Sequence, residues 1–473
     1  MNRLQSLPIN RIPLFQQVYE YVLNRIRSKE WTPHDKLPSI RMLAQELQVN
    51  RLTVFKAYQC LRDDGYLYVK DKSGYFVLSQ KGEKVDHAHP IIHSYIQNSY
   101  LSEIHQLEAN YQFSTAVIDP LLLPNKFLSE EVRKIFDRYP KLLGTYAPVQ
   151  GDAELLEELS TYFYQYHQLH VSTKNLVITT GAQQAIDLIA KVFVHMHDYV
   201  LIDSPTYSAA IDIFLQRGVH LLPVEIHSYG FDLDKVEELM KRHKPKIFYL
   251  NPTFHNPTGY TVPKEQRKRL VELAEKYQCL IVEDDSYHEI YFHETPPAPI
   301  FQYDTDGYVV YVRSFSKYVA PGLRICTMIA HPSLIQWLLK AKALADNGTP
   351  LLNQKAFLFF LTSERMHRHM EKLRIALQIR KEVMEEELQN TGLSWISPSG
   401  GLNLWVKLHE QIDMTSMLQQ SIQQSVSFVP GRICDPGGRD LPYIRLSYSY
   451  LNENQIRQGI HIFKKVYSSL IRD

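Results

Sequence analysis

From about residue 110 onwards, short apolar runs alternate with segments of helical periodicity. The runs cover residues 176–180, 199–203, 246–250, 280–282 and 308–312, and polar residues follow each of them. Such alternation predicts an α/β domain built on a mostly parallel sheet. Because ligands of open α/β sheets bind beyond the carboxyl ends of the strands, we expect the polar residues that follow these runs to meet in one crevice.

The residues that follow the runs include an amine, a carboxylate and several hydrogen-bond donors. In chain order they are Gly181, Ala182, Gln183, Tyr207, Asn256, Asp284, Tyr287, Ser314, Lys317 and Arg324. Each fragment is a weak signal by itself. Together, in this order, they supply an amine for a Schiff base, a carboxylate for a pyridinium nitrogen and donors for phenolate and phosphate oxygens. The sequence therefore predicts a site for pyridoxal phosphate (PLP).

The reactive end of the predicted site centres on Lys317, the candidate catalytic residue. Lys317 is expected to form the Schiff base with the cofactor, the internal aldimine. Asp284, ionised against a protonated ring nitrogen, would make the ring an electron sink. Tyr207 is expected to stack on the ring, and Asn256 and Tyr287 to hydrogen-bond the ring oxygen.

The phosphate end of the predicted site lies where the first run ends. A strand, then Gly181, then a helix that opens with Ala182 and Gln183 forms a natural phosphate cradle. Ser314 and Arg324 are expected to add a hydroxyl and a guanidinium to it.

These motifs resemble those of the fold type I aminotransferases of class I/II, and the resemblance covers roughly residues 110–470. It implies a large domain with a mostly parallel sheet and a smaller α+β domain. It also implies that Tyr146 reaches the phosphate of the neighbouring subunit and that Arg445 grips a substrate α-carboxylate by a bidentate fork. Ala182 stands where the family often has a hydroxyl residue, so slightly weaker cofactor binding is expected.

The first eighty residues follow a different pattern. Apolar residues recur at helical spacing in residues 14–26, and Ser39 and Asn50 are suitable N-caps for two further helices. Residues 66–69 and 75–78 then predict a β-hairpin. Three helices and a hairpin form a winged helix-turn-helix, whose third helix enters the major groove of DNA.

The third helix carries the predicted DNA-contacting face. The residues expected to be exposed on it are Arg51, Leu52, Thr53, Phe55 and Lys56. Arginine can read guanine bidentately, and apolar groups can contact a thymine methyl. Arg41, at the start of the second helix, is expected to reach a phosphate or a base edge.

This segment resembles the GntR-type winged helix over nearly all of residues 11–78. The resemblance implies DNA contacts by Arg41, Arg51, Thr53 and the wing around Gly74. Phe55 stands where the family often has a basic residue, so one phosphate contact is expected to be lost and the sequence preference of the family is harder to carry over. A helical protein-docking module is the alternative, and the helix order, caps and hairpin disfavour it.

The chain is expected to have three segments. They are a winged-helix DNA-binding domain at 1–79, a linker at 80–107 and an aminotransferase-like PLP-binding, effector and dimerisation domain at 108–473. The linker is polar and contains His87, His89 and His93. Because no cysteine or carboxylate set completes a metal site there, no bound metal is predicted.

Composition and charge agree with two soluble domains. The chain has 44% hydrophobic and 22% charged residues, which excludes a largely disordered protein. The net charge is +1, yet residues 1–80 hold twelve Lys or Arg against seven Asp or Glu, a basic excess that suits phosphate contacts. The four cysteines lie far apart, and no run has the length of a signal peptide or membrane span, so we predict a cytoplasmic protein without membrane contact.

A GntR-like winged helix in front of an aminotransferase-like domain resembles the MocR-type regulators over nearly the whole chain. The resemblance implies a transcription factor that binds double-stranded DNA, forms a head-to-tail homodimer and senses a small-molecule effector. In the expected switch, an amino-group effector replaces Lys317 in the aldimine and its carboxylate engages Arg445. Such a switch requires that the effector bind two states with different affinity.

Two alternatives remain open at this stage. The chain could be an active PLP-dependent aminotransferase that also carries a DNA-binding domain, because the pocket has lost no residue that such chemistry needs. PLP itself could instead be the effector. Arg445 favours a carboxylate, but the sequence does not distinguish an amino acid, a longer ω-amino acid and an oligopeptide.

Overall fold

The computed structural model describes residues 13–70, 74–78 and 109–472. It divides into two compact units, Met1–His93 and Ser94–Asp473. The linker predicted at 80–107 lies outside the described residues, together with its histidines. The domain boundaries therefore stay predictions.

Helices and a two-stranded hairpin form the first unit. They are α1 (Leu14–Arg27), α2 (Ile40–Leu47), α3 (Arg51–Asp63), β1 (Leu67–Lys70) and β2 (Gly74–Val77). The two strands are antiparallel, with Leu67 opposite Val77. The predicted winged helix-turn-helix is thereby confirmed.

The predicted caps explain where α2 and α3 begin. Ser39 Oγ accepts a hydrogen bond from the Met42 amide at 3.2 Å, and Asn50 Oδ1 accepts one from the Leu52 amide at 2.9 Å. Each cap satisfies an amide that the first helical turn leaves without a partner. Between the helices, Gln48 adopts the left-handed conformation with φ 55° and ends α2. The core beneath the helices is apolar and includes Val18, Val22, Leu43, Val54, Ala57, Tyr58 and Leu61.

The second unit contains two larger sheets and a short strand pair within residues 109–472. Its strands are β3 (Tyr111–Gln112), β4 (Leu176–Thr179), β5 (Tyr199–Ser204), β6 (His220–His227), β7 (Gly230–Phe231), β8 (Ile247–Leu250), β9 (Leu280–Asp284), β10 (Val309–Ser314), β11 (Cys326–Ile329), β12 (Ser394–Trp395), β13 (Asn403–Lys407), β14 (Val426–Ser427), β15 (Val429–Pro430) and β16 (Tyr443–Ser447).

The large sheet has the order β4-β11-β10-β9-β8-β5-β6-β7. The central pairings from β10 through β9, β8 and β5 to β6 are parallel, and the pairings at both edges are antiparallel. Strands β4, β8, β9 and β10 are buried along their whole length, as expected for a sheet with helices on both faces. The predicted mostly parallel sheet is confirmed.

Helices of the second unit pack around these sheets. They are α4 (Asn125–Arg138), α5 (Ala153–His167), α6 (Ala182–Phe193), α7 (Ser208–Leu215), α8 (Leu233–His243), α9 (Lys264–Tyr277), α10 (Pro332–Ala345), α11 (Leu351–Leu361), α12 (Glu364–Leu388), α13 (Met414–Gln423) and α14 (Glu453–Arg472).

The smaller α+β part lies towards the C-terminal end of the second unit. Its antiparallel sheet has the order β12-β13-β16-β15, and β14 pairs in parallel with β3. Residues of α13 and α14 share an apolar core with these strands. The predicted smaller domain is present, and its β16 carries Arg445.

Among the helices of residues 13–70 and 109–472, none combines the length and the apolar character that crossing a bilayer requires.

Candidate functional site

The carboxyl ends of the central strands surround one cavity of about 570 Å³, including the part open to solvent. Most of the residues that the sequence indicated line it: Ala182, Gln183, Tyr207, Asn256, Asp284, Tyr287, Ser314, Lys317 and Arg324. Three further polar residues, Asn251, Ser286 and Ser316, line the cavity and were not predicted.

Asp284 is the last residue of β9 and is buried in the cavity wall. The Tyr249 hydroxyl donates to one carboxylate oxygen at 2.9 Å, and Ser286 Oγ donates to the other at 2.7 Å. Burial raises the pKa of this carboxyl to about 6, although both hydroxyls favour the ionised form. No cationic side chain among the described residues forms an ion pair with Asp284. Its ionised form would therefore gain from a positive charge in the cavity, such as a protonated pyridine nitrogen.

Lys317 follows β10, and its amine donates to the Ala116 carbonyl at 3.2 Å. Burial lowers the pKa of Lys317 to about 8, and the charges of Arg445 and Arg324 add to this effect while Asp284 opposes it. A Schiff base forms from a neutral amine. The surroundings of Lys317 therefore increase the reactive fraction near neutral pH.

An anion cradle lies at the N-terminus of α6. Gly181 precedes the helix with φ 95°, in the region that favours glycine. A Cβ atom at this position would overlap Nη2 of Arg324, which donates to the Thr180 carbonyl at 3.0 Å. The positive φ thus favours glycine, and the missing Cβ leaves room for the guanidinium. The first amides of α6 and Arg324 together suit a phosphate.

Asn256 is fixed by a buried network behind the cavity. The backbone amide of Asn256 donates to Asn251 Oδ1 at 3.0 Å, and the backbone amide of Asn251 donates to Asp203 Oδ2 at 2.8 Å. His255, which is fully buried, contacts the same Asp203 oxygen through Nε2 at 3.1 Å and Thr258 Oγ1 through Nδ1 at 2.9 Å. Sequence reasoning missed Asp203, Asn251 and His255, although each lies at or near the end of a predicted strand.

Arg445 is buried in β16 and connects two parts of the site. Its Nη1 donates to Asn256 Oδ1 at 3.1 Å, and its Nη2 donates to the Ser114 carbonyl at 2.6 Å. Its Nε is buried and has no hydrogen-bond partner among the described residues. Because an unpaired buried donor is costly, this guanidinium is suited to an additional anionic acceptor.

The predicted tyrosines have different surroundings. Tyr207 and Tyr287 line the cavity, and burial raises the pKa of both hydroxyls, that of Tyr287 to about 12. Both are therefore neutral hydrogen-bond donors at physiological pH. Tyr146 does not line the cavity, and 85% of its surface is exposed.

The predicted DNA-contacting residues lie at the surface of the first unit. Arg41, Arg51 and Lys56 are exposed, whereas Thr53 is half-buried. The Lys56 ammonium lies 4.3 Å from the centroid of the Phe15 ring on α1. Gly74, with φ 112°, is the first residue described after residues 71–73, so the tip of the wing lies outside the described part of the chain.

A lysine, a buried carboxylate and an anion cradle at the ends of parallel strands, with a winged helix earlier in the same chain, define a class of protein. Members of this class join a DNA-binding domain of the winged helix-turn-helix type to a fold type I aminotransferase-like unit.

Comparison with known proteins agrees with this class. The family model for aminotransferase class I and II matches residues 120–463, and the model for bacterial regulatory proteins of the gntR family matches residues 14–77. The uncharacterized HTH-type transcriptional regulator YdfD of Bacillus subtilis (strain 168) is 29% identical over 468 residues, which is 96% of each chain. The 2-aminoadipate transaminase of Thermus thermophilus is 32% identical over 385 residues, covering 80% of this chain and 95% of that relative.

A solved structure shares the fold of the second unit. LysN, the α-aminoadipate aminotransferase from Thermus thermophilus complexed with N-(5'-phosphopyridoxyl)-L-leucine, has a TM-score of 0.75 and 31% identity, covering 80% of this chain and 96% of LysN. The chain belongs to the aminotransferase class I and II family and carries a gntR-family domain in front of it. The predicted resemblance to MocR-type regulators is confirmed.

The aminotransferase fold implies PLP as the cofactor. The residues present fit this group: Asp284 is a buried carboxylate without a cationic partner among the described residues, and Gly181 leaves room for the guanidinium of Arg324. Lys317 adds an amine of lowered pKa.

Proposed function

We propose that this protein is a PLP-dependent transcriptional regulator. It binds promoter DNA through its winged helix and senses an amino-group effector, or PLP itself, in its aminotransferase-like unit. The observation that carries the proposal is that one chain has both an exposed basic face on α3 and the buried pocket around Lys317. An enzyme acting on free metabolites has no use for the first feature. The likeness to YdfD over both units supports the same conclusion.

The ring of the cofactor would be held by residues at the ends of β8, β9 and β10. Lys317 would attach it covalently, Asp284 would keep the ring nitrogen protonated, and Asn256 and Tyr287 would donate to the ring oxygen. Tyr207 would lie against the ring face. PLP supplies, when bound, an electron-withdrawing ring and a carbon atom that reacts with primary amines.

The phosphate would be held at the opposite side of the cavity. The first amides of α6 after Gly181, the Ser314 hydroxyl and the Arg324 guanidinium are the donors. The hydrogen bond from Arg324 to the Thr180 carbonyl keeps the guanidinium beside these amides.

The effector is proposed to carry a carboxylate that binds Arg445. Nε and Nη2 form one two-donor edge of the guanidinium, which matches the two oxygens of a carboxylate. Nε has no partner among the described residues, and Nη2 donates to the Ser114 carbonyl. A carboxylate on this edge would accept from Nε and from one N–H of Nη2, and the second N–H of Nη2 leaves a donor for the Ser114 carbonyl.

Two backbone carbonyls connect the pocket to the segment that follows the linker. The Ser114 carbonyl accepts from Arg445, and the Ala116 carbonyl accepts from Lys317. Ser114 and Ala116 follow the predicted linker closely in sequence. A ligand that engages Arg445 and displaces these carbonyls would shift the segment through which the second unit joins the linker. The shift regulates DNA binding only if the effector binds the two arrangements with different affinity.

A dimer is expected from the aminotransferase fold, and we propose that it is head-to-tail. Leu143, Tyr146 and Leu344 are exposed by 76%, 85% and 92%, which is unusual for large side chains. A Cβ atom at Gly348 would meet the Ala147 carbonyl, so the chain segments that carry these residues touch. This apolar surface is the proposed contact with a second copy.

The test is the absorbance spectrum of the purified full chain with PLP, followed by titration with amino acids and by gel-shift assays on its own upstream DNA. We expect a visible band that Lys317→Ala lacks and that Lys372→Ala, an exposed lysine control, retains. At least one amino acid should change the band. Absence of the band with added PLP, or failure to retard any promoter DNA, would contradict the proposal.

An active aminotransferase is the second candidate. It is favoured by the retention of Lys317, Asp284 and Arg445 and by the likeness to the 2-aminoadipate transaminase. Sustained turnover of an amino acid with a keto-acid acceptor would support this candidate. A single stoichiometric conversion without turnover would support the regulator.

A further inference from the structure

The exposed face of α3 contains two large apolar side chains. Leu52 is 73% exposed and Phe55 is 40% exposed, whereas Val54, Ala57 and Tyr58 of the same helix are fully buried. Leu52 and Phe55 are three residues apart, so they are neighbours on the helix surface. The core of this unit is therefore complete without them, and the first turn of α3 presents an apolar surface to solvent.

Basic groups surround this apolar surface. Arg51 precedes Leu52, and Lys56 follows Phe55. The Arg51 and Arg41 side chains make no hydrogen bond or ion pair with another described residue. This apolar surface therefore lies between the uncommitted Arg51 and Lys56, whose ammonium lies over the Phe15 ring. Such a surface is complementary to a polyanion that carries methyl groups between its rows of phosphates. Major-groove DNA has this character, because the thymine 5-methyl is the apolar group on its base edges.

We propose that Leu52, with Phe55 beside it, reads thymine through its 5-methyl group, so that the operator carries thymine opposite the first turn of α3. This inference rests on the proposed DNA-binding function and adds a base preference to it. Asn50 caps the helix through the Leu52 amide at 2.9 Å, which fixes the direction in which the first turn projects.

The experiment compares thymine with deoxyuridine, which differ by this methyl group alone. The full chain with PLP selects duplexes from a random library, and each thymine of the enriched site is then replaced singly by deoxyuridine. Binding is measured by fluorescence anisotropy. We expect about fourfold weaker binding at one or more positions, the effect of exposing one methyl group.

Variants assign the effect to Leu52. Leu52→Ala should weaken binding to the thymine duplex by a similar factor and bind the thymine and deoxyuridine duplexes equally. Leu121→Ala removes a leucine that is 89% exposed in the other unit and should change neither affinity. Arg41→Ala should weaken binding to both duplexes while keeping their ratio.

Three results would overturn the inference. One is equal binding of both duplexes by the unsubstituted protein, and another is a thymine preference that persists in Leu52→Ala. The third is a loss of self-association in Leu52→Ala, measured by sedimentation without DNA, which would assign this face to a protein contact. If no duplex is enriched at all, the proposed DNA-binding function fails, and this inference fails with it.

Discussion

The two units of the chain hold their candidate functional residues in opposite ways. In the first unit, Arg41, Arg51 and Lys56 project from short helices whose stability comes from an apolar core beneath them. In the second unit, Asp284 and Arg445 are buried and hydrogen-bonded to the residues that shape the cavity. Function and stability should therefore be separable by truncation in the first unit, whereas in the second unit only a substitution that keeps the shape of a buried side chain should spare stability.

The largest expected effect is on the stability of the second unit. Arg313, fully buried in β10, pairs with Glu289 at 2.6 Å and with Asp285 at 3.3 Å. Arg313→Ala should lower the free energy of unfolding by about 3–5 kcal/mol, because it removes a fully buried cation that two carboxylates share, although Arg374 still pairs with Glu289 and His288 with Asp285. Urea unfolding of this unit measures the loss.

The matched control is Arg368→Ala on the surface of α12. Arg368 pairs with Glu364, and both side chains are mostly exposed. The expected loss is about 0–1 kcal/mol. Equal losses for the two variants would contradict the contrast between buried and exposed pairs.

Lys317 should react with amine reagents at unusually low pH. Its pKa is lowered to about 8, chiefly by burial, so the neutral amine predominates above that pH and the protonated form below it. At pH 7 the neutral fraction of Lys317 should exceed that of exposed lysines by on the order of a hundredfold, given an ordinary lysine pKa of about 10.4. Competitive acetylation of the cofactor-free protein, read by mass spectrometry, measures the pH midpoint. A midpoint near that of the exposed lysines would exclude the proposed activation.

Asp284→Asn should weaken cofactor binding without unfolding the protein. The amide keeps the shape of the carboxylate but loses the charge that would face the ring nitrogen, which corresponds to about 1.5–3 kcal/mol for a hydrogen bond to a charged group. Equilibrium dialysis of PLP gives the affinity, and thermal unfolding reports on stability. Asp137→Asn, at an exposed position of α4, should change neither. A large loss of stability in Asp284→Asn would mean that the carboxylate is mainly structural.

Arg51→Ala tests the separation of function and stability in the first unit. It should weaken specific DNA binding by about 1–3 kcal/mol, as expected for loss of a bidentate base contact. The stability of the first unit should change by about 0.5 kcal/mol or less, because the side chain is exposed. Anisotropy with a selected duplex and thermal unfolding of the same sample measure both. A destabilised variant would show that Arg51 is coupled to the core.

The sequence predicted the parts of this structure that depend on local pattern. Apolar runs located the strands, caps located α2 and α3, and the order of Gly181, Asn256, Asp284 and Lys317 located the cavity. The network of Asp203 and His255 was missed because register, rather than residue type, brings their side chains together. The Ser114 and Ala116 contacts were missed because a backbone carbonyl has no signature in sequence.

Coupling between the pocket and the winged helix is measured by the DNA affinity of the full chain with PLP, with and without an amino acid that changes its absorbance spectrum. We expect the DNA affinity to change by at least about fivefold, the lower end of usual coupling energies. Arg445→Gln should abolish the change while leaving DNA binding without the amino acid intact. An unchanged DNA affinity in a sample whose spectrum has shifted would contradict the proposed regulation. Ligand binding in the pocket would then have no effect on DNA binding by the winged helix.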